Sequence, residues 1–282
     1  MIEFIKAIIL GIIEGITEWL PVSSTGHLIL FDSFWPMNMS HEFTEMFNVV
    51  IQLGAIMAVV VIYFWDLWPF HKKGDNKGNF IVSRTDSSKI VLWCKILISV
   101  LPAIVIGVPF DDWLDEHLYN AVVVAIMLIV YGVLFIIIEN RNKNRKFRVS
   151  SIADIRFTDA LLIGIFQCLA MIPGTSRSGA TIIGGILIGL SRAVAAEYTF
   201  YLAIPTMFGA SLLKILKFGF DFSTMEVAVL LIGCIVAFIV SIITIKFFMS
   251  FIRKHDFKVF GAYRIVLGAI VLCLALAGML EV

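Results

Sequence analysis

The chain has 282 residues, of which 60% are hydrophobic and 15% charged, and its mean hydropathy is +0.97. A soluble domain averages about half apolar and about a quarter charged residues, so this composition excludes an ordinary soluble domain. The formal net charge of +1 gives no electrostatic reason to expect a nucleic-acid partner.

Apolar runs long enough to cross a hydrocarbon core of about 30 Å recur along the chain. The sequence therefore predicts an all-α polytopic membrane protein in which residues 1–282 form a single membrane domain. Six transmembrane helices are predicted, at about 45–65, 90–110, 119–138, 197–217, 226–250 and 260–280. Lys and Arg mark cytoplasmic loops. They cluster at 66–89, at 139–158 and at Arg253, Lys254, Lys258 and Arg264, which predicts that both termini lie outside the cell.

Two apolar stretches, 1–35 and 159–191, do not read as simple spans. Each is interrupted by Pro and small polar residues, "LPVSSTGH" at 20–27 and "IPGTSRSGAT" at 172–181. Pro removes a backbone donor and disfavours helix in the residue before it, so each stretch should form a helix, a break and a second helix. A re-entrant hairpin at both places preserves the alternation of loop charge, and irregular backbone at membrane depth must then be buried in protein or line a wet cavity.

The two broken stretches are related by an offset of 153 residues, the separation of Gly11 from Gly164. The same offset aligns Glu14 with Gln167, Ser23 with Ser176, Gly26 with Gly179 and Phe47 with Phe200. We predict a pseudo-repeat at about 1–138, a basic cytoplasmic linker at about 139–158 and a second pseudo-repeat at about 159–282. Because a broken hairpin and three spans make up each unit, the second unit should be inverted, with a site at the midplane.

The first break concentrates polar groups in "EGITEWLPVSSTGHLIL", residues 14–30. Glu14 and Glu18 are four residues apart and fall on one helix face. Two carboxylates repel each other where the dielectric constant is low, so the pair suits a divalent cation or a general base. The structural alternative is that one of them caps or hydrogen-bonds a neighbouring helix.

Hydroxyls follow the two glutamates, and a second helical run should begin near His27. Ser23, Ser24, Thr25 and Gly26 could hold an oxyanion at this helix start, or could serve as an ordinary cap. His27 could take a proton from a serine, protonate a leaving oxygen or attack phosphorus itself.

The second break supplies positive charge. In "PGTSRSGAT", residues 173–181, Arg177 stands between Ser176 and Ser178, and it follows Gly174 and Thr175. A guanidinium offers planar donors that match phosphate oxygens, although it could pair with Glu14 or Glu18 instead. Gly174 should let the backbone approach a ligand closely. Together the two breaks suit a phosphoryl group.

These motifs resemble the undecaprenyl-diphosphate phosphatase family of the bacitracin-resistance type, with support from "FNVVIQLGAI" at 47–56 and "IGIFQCLA" at 163–170. The resemblance implies hydrolysis of a C55 isoprenyl diphosphate, which recycles the carrier lipid for cell-wall synthesis. It also implies a divalent cation, Mg²⁺ or Ca²⁺, and no organic cofactor. The motif residues of the family carry onto Glu14, Glu18, Ser24, His27, Ser176 and Arg177. One position departs from the family pattern, because Asn48 stands where an acidic residue is common.

The expected site follows from both lines of reasoning. We expect catalytic roles for Glu14, Glu18, Ser24, His27 and Arg177, a metal at Glu14 and Glu18, and substrate contacts from Ser23, Thr25, Gly26, Gly174, Thr175, Ser176 and Ser178. Ser24 is favoured as nucleophile over His27, and water with Glu18 as base is a third route.

The expected setting is a bacterial plasma membrane. The partners are the isoprenyl diphosphate substrate and the surrounding lipids, and the sequence leaves a homodimer open. The site should open toward the outer leaflet, because the first hairpin dips from outside. A lipid-phosphate transporter that uses the same midplane cavity is the alternative function, since inverted repeats with broken hairpins are typical of transporters.

Overall fold

The computed structural model describes residues 1–70, 86–143 and 145–280, except for the side chains at positions 108, 111, 112, 115 and 116. These residues form eleven α-helices and no strand. The helices are α1 (Ile2–Thr17), α2 (Ser24–Phe34), α3 (His41–Ile62), α4 (Phe64–Leu67), α5 (Ser87–Leu118), α6 (Ala121–Asn142), α7 (Phe157–Cys168), α8 (Arg177–Leu187), α9 (Arg192–Phe218), α10 (Thr224–Ile252) and α11 (Lys258–Leu276).

Six helices are long and apolar enough to cross a membrane, and they confirm the predicted fold class and its six spans. They are α3, the first part of α5 (Ser87–Gly107), α6, α9, α10 and α11. The basic residues that the first cytoplasmic loop was predicted to carry at 72, 73, 77 and 84 lie outside the described residues.

The span predicted at about 90–110 is part of a longer helix that includes the acidic segment 111–118. Helix α5 continues past Pro102 and Pro109 and ends only at Leu118. The charge of a short segment indicates which side of the membrane it faces. It does not end a helix, because charged residues such as Glu are good helix formers.

Corresponding helices of the two predicted repeats have corresponding neighbours. Helix α1 packs against α10, and α7 packs against α5, while α3 packs against α9 and α6 against α11. In the first two pairs a glycine allows the close approach, since a Cβ on Gly11 would lie 2.7 Å from the Gly233 carbonyl oxygen and one on Gly164 would lie 2.3 Å from that of Ser99. A structural repeat with the predicted offset would give these same helix contacts. The inversion of the repeats and the re-entry of 1–35 and 159–191 stay predictions.

The two predicted breaks are present in the backbone. Helix α1 ends at Thr17 and α2 begins at Ser24, three residues earlier than the expected start near His27, while α7 ends at Cys168 and α8 begins at Arg177. Most of the first break is buried, including Trp19, whose ring packs edge-on against Phe200 at 5.4 Å. The non-helical backbone is therefore enclosed by protein, as membrane depth would demand.

Candidate active site

Helices α2 and α8 begin from the same unusual backbone conformation. Their N-cap residues, Ser23 (φ 74°, ψ 106°) and Ser176 (φ 72°, ψ 125°), are related by the predicted offset and are the only non-glycine residues with positive φ in the described part of the chain. Such a conformation costs of order 1–3 kcal/mol, and it persists only where the surrounding structure enforces it. It places Ser24 and Arg177 at equivalent first positions of their helices.

A continuous set of contacts joins the two breaks. Nη2 and Nε of Arg177 donate to Oε1 of Glu18 at 2.9 and 3.3 Å, and Nη1 donates to the carbonyl of Thr199 at 3.0 Å. The other oxygen of Glu18, Oε2, accepts from the Ser24 hydroxyl at 3.2 Å. The side chains of Arg177 and Glu18 are only 12% and 9% exposed, so water screens the pair poorly. The predicted ion pair between Arg177 and a glutamate is confirmed, and Glu18 is the partner.

Glu14 lies one helical turn before Glu18 and is fully buried. The N–H of Glu18 donates to the Glu14 carbonyl at 3.0 Å, which keeps Glu18 in helical register with Glu14. Neither carboxylate oxygen of Glu14 has a hydrogen-bond partner among the described residues. A buried polar group without a partner is costly, so this carboxylate is the strongest indication that the site receives a ligand.

His27 lies in the first turn of α2, and its two ring nitrogens contact groups other than the Ser24 hydroxyl. Its Nδ1 is 2.7 Å from the carbonyl oxygen of Ser23, and its Nε2 is 2.7 Å from the hydroxyl of Tyr263. The Ser24 hydroxyl donates to Glu18, so the base beside it is Glu18 and not His27. Tyr263 comes from α11, and its position within an ordinary apolar run gave no signal of a role.

Arg264 was assigned to the third cytoplasmic basic cluster, and this interpretation is wrong. It is fully buried beneath the two breaks. Its Nη2 donates to the carbonyls of Gly174 and Thr175 at 2.7 and 2.8 Å, and its Nη1 donates to the Pro21 carbonyl at 3.2 Å. The available signal was its place inside a run predicted to span the membrane, because ionisable residues there are functional by default.

The remaining predicted substrate contacts divide into two groups. The Ser178 hydroxyl donates to the Glu18 carbonyl at 3.1 Å, and the Ser176 hydroxyl accepts from the Gly179 N–H at 3.2 Å. Thr175 is buried with no partner for its hydroxyl among the described residues, and the same holds for the Ser23 hydroxyl.

Both glycines that were predicted to contact substrate, Gly26 and Gly174, pack against helix α6. Gly174 (φ +88°) lies against the backbone of α6, where a Cβ would lie 2.5 Å from the Val124 carbonyl oxygen. Gly26 faces Leu128 on the same helix, and Thr25, next to it, is half-buried. The absence of larger side chains at Gly174 and Gly26 lets both breaks pack closely against α6. The contact of Gly174 with a ligand stays a prediction.

The number of carboxylates in the site determines how a divalent cation could be held. It is also the reason why Asn48, at a position where an acidic residue is common in the family, matters here. The described residues contain no cluster of three or more His, Cys, Asp or Glu side chains placed to hold a metal. Asn48 donates to Asp32 at 3.3 Å and adds no carboxylate. Mg²⁺ is often held by one or two carboxylates together with waters and substrate phosphate oxygens, so the pair Glu14 and Glu18 fits that mode.

Two cavities, of about 400 and 450 Å³, lie away from these residues. One is lined by Tyr63, Lys246 and Arg253 among others, and the second by Asp66, Lys95 and Glu197 among others. Neither includes a predicted site residue. The chemistry of the breaks, rather than cavity volume, identifies the candidate site.

A family model described as bacitracin resistance protein BacA matches residues 7–270. The chain belongs to this family. It is 60% identical over 271 residues to an undecaprenyl-diphosphatase of Enterococcus faecalis, with 96% of each chain covered. It is also 60% identical over 277 residues to an undecaprenyl-diphosphatase of Acetivibrio thermocellus, with 98% of this chain and 99% of the relative covered. An undecaprenyl-diphosphatase of Lactococcus lactis subsp. lactis is 55% identical, with 97% and 98% covered. The BacA match spans both breaks and confirms the resemblance seen in the sequence.

Proposed function

We infer that this multi-pass membrane protein hydrolyses undecaprenyl diphosphate to undecaprenyl phosphate and inorganic phosphate, and so recycles the carrier lipid for cell-wall synthesis. The observation that carries the inference is the contact of Arg177 with Glu18 and of Glu18 with Ser24, which joins the two breaks. A phosphate-binding cation, a base and a hydroxyl nucleophile are thereby adjacent in a chain whose full-length relatives are named diphosphatases.

The first step is an exchange of partners at Arg177. In the structure its guanidinium is satisfied by Glu18, so an incoming terminal phosphate competes with that carboxylate for the same planar donors. Once phosphate oxygens replace it, Glu18 is released next to the Ser24 hydroxyl. The positive charge of Arg264, buried behind both breaks, adds to the stabilisation of the phosphate.

The second step is phosphoryl transfer. The Ser24 hydroxyl gives its proton to Glu18 while its oxygen attacks the terminal phosphorus, and the bond to the bridging oxygen breaks so that undecaprenyl phosphate leaves. Glu18 passes this proton to the departing undecaprenyl phosphate and is again a carboxylate. It then takes a proton from the water that attacks the phosphoserine, and gives that proton to the Ser24 oxygen as inorganic phosphate leaves. Direct attack by His27 is disfavoured, since both of its nitrogens are engaged by Ser23 and Tyr263. Attack by water, with Glu18 as base, is the other route that these contacts allow.

A divalent cation fits Glu14 and Glu18, because both oxygens of Glu14 are buried and no described residue donates a hydrogen bond to them. When bound, such a cation would neutralise charge on the phosphate oxygens. Glu18 would then serve the cation and the Ser24 proton with different oxygens.

Phosphate release from purified protein in detergent, where no leaflets exist, tests the function. Glu18→Gln and Arg177→Gln should each lower the rate by at least about 100-fold, the typical loss when a donor to the transition-state charge is removed. Arg192→Gln is the matched control, because it breaks another buried ion pair, with Glu139, which includes none of the site residues. Wild-type release that both site variants retained in full would contradict the inference.

Acid-quenched reactions separate the two routes. A phosphate label on Ser24 that is absent from Ser24→Ala supports the covalent route, whereas no labelled protein during steady turnover supports attack by water.

Hydrolysis is favoured over transport, because the relatives compared above carry phosphatase names. From loop charge we propose that both termini lie outside and that the site opens to the outer leaflet. Accessibility of terminal tags in intact cells tests this orientation, and protection of both tags would reverse it.

A further inference from the structure

We propose that Tyr263 is a positioning residue for His27, which it holds in place through a hydrogen bond to Nε2. The inference rests on the proposed function and deepens it. It starts from the two contacts of the imidazole, each 2.7 Å long, which reach it from different parts of the chain.

The tautomer follows from the chemistry of the two partners. A backbone carbonyl can only accept, so Nδ1 of His27 must carry a proton to bond the Ser23 oxygen at 2.7 Å. In the neutral ring the lone pair is then on Nε2, and the hydroxyl of Tyr263 donates to it. The carbonyl that sets the tautomer belongs to Ser23, whose strained φ of 74° is part of the break itself.

The contact with Tyr263 also restricts the orientation of the His27 imidazole. The rings of His27 and Tyr263 are nearly parallel, with an interplanar angle of 8° and centroids 5.7 Å apart. The two hydrogen bonds, at Nδ1 and at Nε2, hold the imidazole from two sides, and the Tyr263 ring lies edge to edge with it. His27 is thus held ready to exchange a proton through Nε2 and not through Nδ1.

The exposed fractions show how the two partners of His27 differ. Tyr263 is 48% exposed, whereas Ser23, on the other side of His27, is fully buried. A tyrosine hydroxyl can accept further hydrogen bonds while it donates one. A further donor can therefore reach the Tyr263 hydroxyl on the Nε2 side of His27, while Glu18 serves Ser24.

Kinetics of Tyr263→Phe test the proposal, because Phe keeps the aromatic ring and removes only the hydroxyl. We expect kcat to fall about tenfold with KM nearly unchanged, a part of what acid–base catalysis contributes. The pH–rate profile should change, since the hydroxyl donates to neutral Nε2 and accepts from protonated Nε2, and its loss alters the relative stability of the two forms. In a His27→Ala background the same substitution should have no further effect.

Tyr201→Phe is the matched control, because the Tyr201 hydroxyl donates to Glu197 at the same distance of 2.7 Å, outside the candidate site. It should leave the pH profile as in the wild type. An unaltered profile in Tyr263→Phe, or a loss that adds in full to that of His27→Ala, overturns the proposal while the hydrolysis stands. A wild-type protein that releases no phosphate overturns the proposed function, and this inference with it.

Discussion

Variants of the buried ion pair between Glu18 and Arg177 allow the loss of stability to be measured separately from the loss of phosphate release. Arg177→Gln leaves the Glu18 carboxylate, 9% exposed, without the two donors that lie 2.9 and 3.3 Å from its Oε1. Removing one partner of a buried ion pair costs about 3–5 kcal/mol, because the other charge remains buried and uncompensated. Glu18→Gln should destabilise for the same reason, with Arg177 as the stranded charge.

The double variant is the informative one. When both side chains are glutamine, no buried charge is stranded, so most of the lost stability should return, to within about 1–2 kcal/mol of wild type. Phosphate release should not return, because the planar cation is still missing. Unfolding in detergent, followed by heat or denaturant, measures the first quantity, and phosphate release per folded molecule measures the second.

Arg192→Gln serves as the control here as well. It strands Glu139, whose side chain is 2% exposed, so it should lose stability yet keep its activity per folded molecule. The reasoning is refuted if Arg177→Gln is as stable as wild type, or if the double variant is less stable than both single variants.

Four further substitutions test other parts of the structure. Ser23→Gly should stabilise the protein by about 0.5–1 kcal/mol, measured as a higher melting temperature. Glycine relieves the strain of the positive φ, and the lost hydroxyl has no hydrogen-bond partner among the described residues. Gly164→Ala should lower the melting temperature, since the new Cβ would lie 2.3 Å from a backbone oxygen. Gly209→Ala is the control, because a Cβ there would meet no described atom within 4 Å, and it should leave the melting temperature unchanged. Equal effects of the two substitutions would contradict the packing argument. Glu14→Gln should keep the fold and abolish the dependence of phosphate release on added Mg²⁺ or Ca²⁺ after chelation, and a retained dependence would place the cation elsewhere. Arg264→Lys should lower both melting temperature and activity, because one ammonium cannot reproduce the planar donors that hold three carbonyls, and wild-type values for both would refute that role.

The membrane class, the six spans and the place of both breaks could be predicted from the sequence. These features depend on local composition: apolar length sets a span, and Pro with small polar residues interrupts a helix. The offset that relates Ser23 to Ser176 was also visible, whereas the unusual backbone conformation that these two residues share was not predicted. The motif glutamates, Ser24 and Arg177 were found because costly polar groups at membrane depth are conspicuous.

The partner of each of these groups depends on the packing of helices that are distant in the sequence. His27 meets Tyr263 across 236 residues of chain, and Arg264 reaches Pro21 across 243, so no periodicity within one helix could report either contact. Arg264 looked like a loop cation because charge clusters were assigned by proximity along the chain, whereas its depth depends on how α11 packs against α6 and the two breaks. The periodicity of a sequence shows which faces of a helix are apolar or polar. Which helix packs against each face depends on the arrangement of the whole bundle.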